Sequence, residues 1–288
     1  MAIEKFKPII WTTKFQEDLD MKLVLKEDCN LEYEGVAKGP GDTVKILGLG
    51  DPTLAEYSDG KLHDVTFEDI EDDSQTLPIN QVVEFGFKVD DLDKRQAQGG
   101  SGLLGKYMEK AKNKVATAMD TYIAGLVADT RVTNYVPQAN ATAGTALGEV
   151  NELTILNDFG KVLTMLLERN VSRDDYISWT IPPFITEILK RAYVDLDTNN
   201  SEMLRNGKVG KYSNVIIKES NNLYVDSNGY YHLPLRTKQA VAFVNPHTHM
   251  EPLRLQNSFH DAVKGYSVFD GKVLRAKEII DFMVKKPQ

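Results

Sequence analysis

Gly99-Gly-Ser-Gly-Leu-Leu-Gly-Lys-Tyr-Met-Glu-Lys-Ala-Lys-Asn-Lys-Val-Ala-Thr-Ala-Met-Asp-Thr-Tyr-Ile-Ala-Gly-Leu-Val127 is the most regular stretch of the chain. Leu103, Leu104, Tyr107, Met108, Ala111, Val115, Ala118, Met119, Tyr122, Ile123, Leu126 and Val127 recur at three- and four-residue spacings. That is the period of a helix with one apolar stripe. Lys106, Glu109, Lys110, Lys112, Lys114 and Asp120 are expected on the opposite face, with Ser101 as the N-cap. At 1.5 Å per residue, roughly 27 residues make a rod of about 40 Å, longer than the usual globular helix. Such a rod cannot cover its own stripe, so the rest of the chain must lay sheet along it.

On the N-terminal side of the rod, Thr43-Val-Lys-Ile-Leu47 and Thr76-Leu-Pro-Ile79, followed by Val82 to Val89, read as strands. Between them lies an excursion with Asp59, Asp64, Glu68, Asp69, Glu71, Asp72 and Asp73. Two strands alone are marginal in water, so the hairpin is expected to rest on something else. A solvated acidic loop is one reading; an arm lying on a basic surface of a neighbour is the other. Residues 1 to 30 mix charge with Phe15, Leu19, Leu23 and Leu25 and read as an arm with a short helical piece, too small to bury its apolar groups alone.

On the C-terminal side, the Gly/Ala/Thr/Asn-rich run from Thr133 to Gly148 marks a boundary. Asn151 is placed to cap a helix over 153–168, with Leu153 on its apolar side. Asp175 to Ile181 reads as a buried strand. Pro182-Pro183 sits at a helix start, where proline is tolerated, and Asn214 to Lys218 reads as a second strand. Strand, helix, strand is a small α/β unit. Asp226-Ser-Asn-Gly229 has turn chemistry. From Gln239 onward the pattern is β, with strands expected over 240–244, 250–255, 262–269, 272–274 and 279–284 and a hairpin at Asp270-Gly271.

Composition bounds the rest. The chain has 288 residues, 34 basic against 42 acidic, hence a net charge of −8; 42% are hydrophobic and 26% charged. These values exclude a disordered chain. A single cysteine, Cys29, excludes a disulfide framework and reads as a small buried hydrophobe. No apolar run reaches the roughly 18 residues of a membrane helix, and no secretory core opens the sequence. The acidic balance argues against a surface built to grip nucleic acid.

Catalytic signals are weak. Gly48-Leu-Gly50 and Gly99 to Gly102 lack the context of nucleotide loops, so no cofactor is expected. Adjacent acids such as Asp72-Asp73 would point to opposite faces of a strand. His247, His249 and His260 could supply three metal ligands, but the first two follow Asn245-Pro246 and precede Glu251-Pro252, which reads as a turn.

Specific strings carry more. Gly41-Asp-Thr-Val-Lys-Ile-Leu47, then the 59–73 loop, then Leu77-Pro-Ile-Asn-Gln-Val-Val-Glu-Phe-Gly-Phe-Lys-Val-Asp-Asp-Leu-Asp-Lys94 resemble the major capsid proteins of tailed bacteriophages, which share the Hong Kong 97-type fold. Leu204-Arg-Asn-Gly-Lys-Val-Gly-Lys-Tyr-Ser-Asn-Val-Ile-Ile-Lys-Glu-Ser-Asn-Asn-Leu223 and the segment from Glu251 to Arg275 continue the resemblance in order. It implies an α+β fold divided into an N-terminal arm (1–30), an extended loop hairpin with flanking strands (31–98), a peripheral domain with the spine helix (99–135), an axial domain (136–245) and peripheral return strands (246–288). The implied function is self-assembly through pentamers and hexamers into an icosahedral shell enclosing phage DNA, with no enzymatic activity. Implied partners are other copies of the chain, a portal, possibly a decoration protein, a separate scaffolding protein and DNA held non-specifically at most; no membrane is implied. The shell would be assembled in the host bacterial cytoplasm and found in the virion. Contacts between subunits are expected to join Asp59, Asp64, Glu68, Asp69, Glu71, Asp72 and Asp73 of the loop to basic residues of a neighbour's spine helix or axial domain, with Lys106, Lys110, Lys112 and Lys114 as candidates. The alternatives are an encapsulin-type bacterial compartment shell and a metal-dependent enzyme using His247, His249 and His260.

Overall fold

The computed structural model describes residues 23–34, 41–49, 72–90, 103–142, 144–171, 176–194, 211–212, 215–255 and 260–286. In chain order these form β1 (Thr43–Leu49), β2 (Asp72–Pro78), β3 (Gln81–Asp90), α1 (Leu103–Gly125), β4 (Thr133–Tyr135), α2 (Ile155–Leu167), β5 (Ile177–Ile181), α3 (Pro183–Val194), β6 (Lys211–Tyr212), β7 (Val215–Glu219), β8 (Tyr230–Thr237), β9 (Val241–Arg254), β10 (His260–Val273) and β11 (Ile279–Lys285). The strands make a two-stranded sheet β1-β2, a three-stranded sheet β3-β10-β9 and a six-stranded sheet β4-β11-β8-β5-β7-β6.

The spine helix finds the sheet its stripe requires. Its 23 residues run about 35 Å at 1.5 Å per residue before tightening into a 3₁₀ turn over Leu126–Ala128. Val115, Met119, Ile123 and Ala124 pack with Val241, Phe243, Met250, Val263 and Phe269 of β9 and β10. The next residues along those strands, Val244 and Val268, turn to the other face as the two-residue strand period demands. There they meet Val44, Ile46, Leu77 and Ile79 of the β1–β2 hairpin base. The three-stranded sheet is thus covered by the helix on one side and the hairpin on the other.

Two of the polar residues assigned to the solvent face of α1 lie inside. Lys112 is 7% exposed and Asp120 is 1% exposed. Both sit three or four residues from buried Val115, Ala116 and Ala124, within a stripe wider than the sequence pattern suggested. Conversely Tyr107, expected on the stripe, is 48% exposed and lies against Phe87 with ring centroids 5.9 Å apart.

Asp270-Gly271 is not a hairpin: β10 runs straight through it, pairing Asp270 with Val244 and Gly271 with Phe243 after a bulge at Val268/Asp270. The Asp270 carboxylate accepts from Tyr122 Oη (2.5 Å), from the Asn80 amide (3.0 Å) and from the Gly271 amide (2.7 Å). Gly271 leaves room at a close approach: a Cβ there would lie 2.8 Å from Leu126 Cδ1 and 3.1 Å from the Ala242 carbonyl oxygen. The expected turn around His247 is also absent. Val241 to Arg254 is one strand, passing through Pro246 and Pro252 because the sheet edge tolerates missing donors.

In the second unit α2, β5, α3 and β7 form where the local signals place them, whereas β4 opens the run expected as a boundary and β8 answers to no sequence expectation. Asn151 Oδ1 accepts from the Leu153 and Thr154 amides (3.1 and 3.2 Å) at the start of α2. Leu153, in the turn before the first helical residue, is 74% exposed rather than packed. β5 and β7 pair in parallel, Ile177 with Val215 through Ile181 with Glu219, joined across α3. Trp179, Phe159, Leu235 and Phe282 are among the buried core of this unit, with the Phe159 and Trp179 rings stacked at 4.1 Å. The segment 246–288 divides between the sheets: β9 and β10 serve the spine helix, while β11 pairs with β8 and β4 in the six-stranded sheet.

Candidate inter-subunit surfaces

The acidic loop is built on the β1–β2 ladder, which runs from Thr43↔Pro78 to Leu49↔Asp72. Asp72 and Asp73 occupy its last rungs, opposite Leu49 and Gly48. Asp59, Asp64, Glu68, Asp69 and Glu71 fall outside the described residues. Among the lysines, Lys106 lies in the first turn of α1. Lys110 and Lys114 are exposed, and the Lys110 ammonium sits 5.8 Å over the Tyr107 ring. Lys112 is buried within the subunit and is not a free cation for a neighbour.

The three histidines do not converge. His249 pairs with Tyr266 and the His260 backbone pairs with Leu255, so six residues separate their rungs on β9. That is about 20 Å at 3.4 Å per residue, beyond any single metal ion. Among the described residues no group of three or more His, Cys, Asp or Glu side chains could hold a metal.

Sequence reading missed the charged groups the fold gathers beneath its N-terminal segment. Leu23, Leu25 and Cys29 are buried in the core of the spine helix, so the described end of the arm lies on its own chain. Asp120 accepts the Val24 and Leu25 amides at 3.3 Å each; burial pushes its carboxyl up, against the pull of those bonds. Arg236, 1% exposed, donates to the Leu25 carbonyl at 3.1 Å. Burial pushes the Cys29 thiol up, against the pull of Arg236. Asp28, fully buried, accepts from Lys218 Nζ and Tyr176 Oη, each at 2.8 Å on Oδ1. Burial pulls the Lys218 ammonium down, and the Asp28 and Glu27 carboxylates more than reverse it, leaving it above the ordinary lysine value. His232 Nδ1 lies 2.5 Å from Asp281 Oδ2, tying β8 to β11; burial pushes the Asp281 carboxyl up, against the pull of His232. These groups brace the arm base and the two larger sheets. Their common feature is a charged side chain buried inside the fold, which no local pattern encodes.

No family model matches the chain, and no curated protein sequence matches it. Solved structures do. A chain of Mycobacterium phage Che8 superposes with a TM-score of 0.72 at 25% identity, covering 90% of each chain. The capsid structure of cyanophage P-SCSP1u gives a TM-score of 0.68 at 15% identity over 87% of this chain and 85% of that one. This chain has the Hong Kong 97-type fold of tailed-phage major capsid proteins. The virus-like particle from Pyrococcus furiosus has the same fold, with a TM-score of 0.57 at 11% identity over 95% and 97%. Among the described residues no helix is long and apolar enough to cross a membrane.

Proposed function

We propose that the protein is the shell-forming subunit of a tailed phage, assembling through pentamers and hexamers into an icosahedral capsid around DNA. The observation that carries this reading is the superposition on phage chains over 90% and 87% of the chain, at TM-scores of 0.72 and 0.68. The phage reading is preferred to a compartment shell because the Che8 phage chain shares 25% identity with this chain, against 11% for the virus-like particle. The role is structural: subunits meet head-to-tail and close into rings around an axis. The loop between β1 and β2 reaches a neighbour, where Asp59, Asp64, Glu68, Asp69, Glu71, Asp72 and Asp73 meet Lys106, Lys110 and Lys114 of its spine helix. Exposed pairs of this kind contribute about 0–1 kcal/mol each, so cohesion comes from summed contact area. The five-part division, with 99–135 peripheral and 136–245 axial, follows this reading, as do assembly in the host cytoplasm, a separate scaffold, a portal and a decoration protein.

Deleting residues 59–71 tests it, sparing Asp72 and Asp73 because they pair in the ladder. The expected product is a folded subunit, by circular dichroism, that gives no closed shells by negative-stain microscopy, while the full chain does. Normal shells from the deletion refute the arm; no shells from the full chain at any concentration, alone or with its separate scaffold, refute the capsid role.

A further inference from the structure

The three-stranded sheet has two edges, and the chain treats them differently. On the β9 edge, Asn30 exchanges backbone hydrogen bonds with Val241 (2.8 Å) and Phe243 (3.1 Å), and Pro246 and Pro252 remove donors further along. Such devices blunt an edge against a further strand. β3, at the other edge, runs ten residues without a proline. Among the described residues, strands pair with β3 only on its β10 side. A long, regular edge of this kind is a template for another strand.

The sequence of that edge is complementary to itself. Val83-Glu84-Phe85-Gly86-Phe87-Lys88-Val89 reads symmetrically in chemistry about Gly86. In an antiparallel pair of two such strands with Gly86 opposite Gly86, Phe85 of one copy faces Phe87 of the other, Val83 faces Val89, and Glu84 faces Lys88 in both directions. The faces are segregated as well. Val83, Phe85 and Phe87 are half-buried on the spine-helix side, whereas Glu84, Gly86 and Lys88 are exposed. A slip of two residues one way sets Glu84 against Asp90, and the other way sets it against Gly86; either slip loses both ion pairs. A slip of one turns one copy upside down.

We propose that β3 pairs with β3 of a second copy across a two-fold axis normal to the sheet, joining two three-stranded sheets into one of six strands. Rotation about that axis keeps both spine helices on the same side of the joined sheet, as a continuous wall requires. The apolar pairs extend the layer beneath the two helices, and exposed Tyr107, stacked on Phe87, lies beside the junction. The pairing rests on the capsid reading, in which two-fold axes normal to the wall relate neighbouring subunits.

Cysteine cross-linking tests the register directly. Cys29, the chain's sole cysteine, is buried and does not compete. Residues directly opposite in an antiparallel pair have Cα atoms about 4.5–5.5 Å apart, within disulfide reach. A Cβ at position 86 finds its nearest neighbour, the Val263 carbonyl oxygen, at 3.8 Å, so Gly86→Cys fits. Under mild oxidation, G86C is expected to run mostly as a disulfide-linked dimer on a non-reducing gel. E84C alone and K88C alone are expected to stay monomeric, because each lies four residues, about 13 Å along the strand, from its counterpart. The double variant E84C/K88C is expected to dimerise. In a parallel arm, E84K and K88E each lower shell yield alone, and mixing the two restores it.

Folded G86C that stays monomeric, or an E84C single variant that links as readily, overturns the pairing. Should G86C misfold, E84C/K88C decides by the same criterion, since both positions are exposed. Shells without the expected links refute the pairing and leave the capsid reading standing; dimers from a protein that never makes shells do the reverse.

Discussion

Replacing Lys218 by methionine should strip the arm base of its main anchor. The Lys218 ammonium lies 2.8 Å from Asp28 Oδ1 and 2.9 Å from Glu27 Oε2. Glu27's side chain is 71% exposed and Asp28's is fully buried, so the Asp28 contact dominates. K218M leaves a buried carboxylate with the Tyr176 hydroxyl as its remaining side-chain donor among the described residues, a situation that costs about 3–5 kcal/mol. D28N removes the charge instead and keeps an acceptor for Tyr176, at a cost of about 1–3 kcal/mol. The double variant K218M/D28N no longer buries a lone charge and should lie near D28N, giving a coupling energy about equal to the K218M cost, roughly 3–5 kcal/mol. The assay is urea unfolding followed by the fluorescence of Trp179, in a Trp11→Phe background. Trp179 is fully buried and pairs with Ile217, next to Lys218. With a urea slope of about 3 kcal/mol/M for a chain of this size, the K218M midpoint should fall by about 1–1.7 M. A K218M midpoint within 0.3 M of the parent ("about 1 kcal/mol" on the same slope) or strictly additive costs would refute the reasoning.

Two further outcomes follow from the same geometry. Phe282 is fully buried, with its ring 5.8 Å from Trp179 and 5.7 Å from Tyr135, and F282A should cost about 3–5 kcal/mol, read by thermal or urea unfolding; a loss under about 1 kcal/mol would mean the second core is not packed as described. Asp120 has a carboxyl raised above the ordinary 3.8, so its contribution is fullest below that value and declines as pH rises through the folded-state value; the destabilisation by D120N should therefore be larger at pH 4 than at pH 7.5, and the opposite trend in paired urea titrations would contradict it.

Much of the fold was legible because its signals are local. The spine helix announces itself by its period, Asn151 by its capping position, and the β5-α3-β7 unit by Pro182-Pro183 between two apolar runs. The metal alternative failed for a non-local reason: His247 and His249 sit on one unbroken strand, and His260 starts the next strand at its far end. Asp270-Gly271 misled for a similar reason. Its residues suit a hairpin, but tertiary partners on α1 and before β3 satisfy the aspartate, and Leu126, in the turn after the spine helix, packs close to where a Cβ at Gly271 would lie. The buried ties went unseen because Asp28 and Lys218 are 190 residues apart.

By itself, the sequence determined the three helices, the strands β1, β2, β3, β5, β7 and β11, and that a long amphipathic rod needed a partner outside itself; it held no expectation of β8 or β4. Those properties follow from side-chain period and turn chemistry, which act over a few residues. Only the tertiary structure decided that Lys112 and Asp120 face inward, that β9 continues through two prolines, that β11 joins the six-stranded sheet, and that Asp28, Lys218 and Tyr176 meet. Each of those depends on strand register and on which face a neighbouring element covers. Both are set by the sum of packing over the whole chain rather than by any stretch within it.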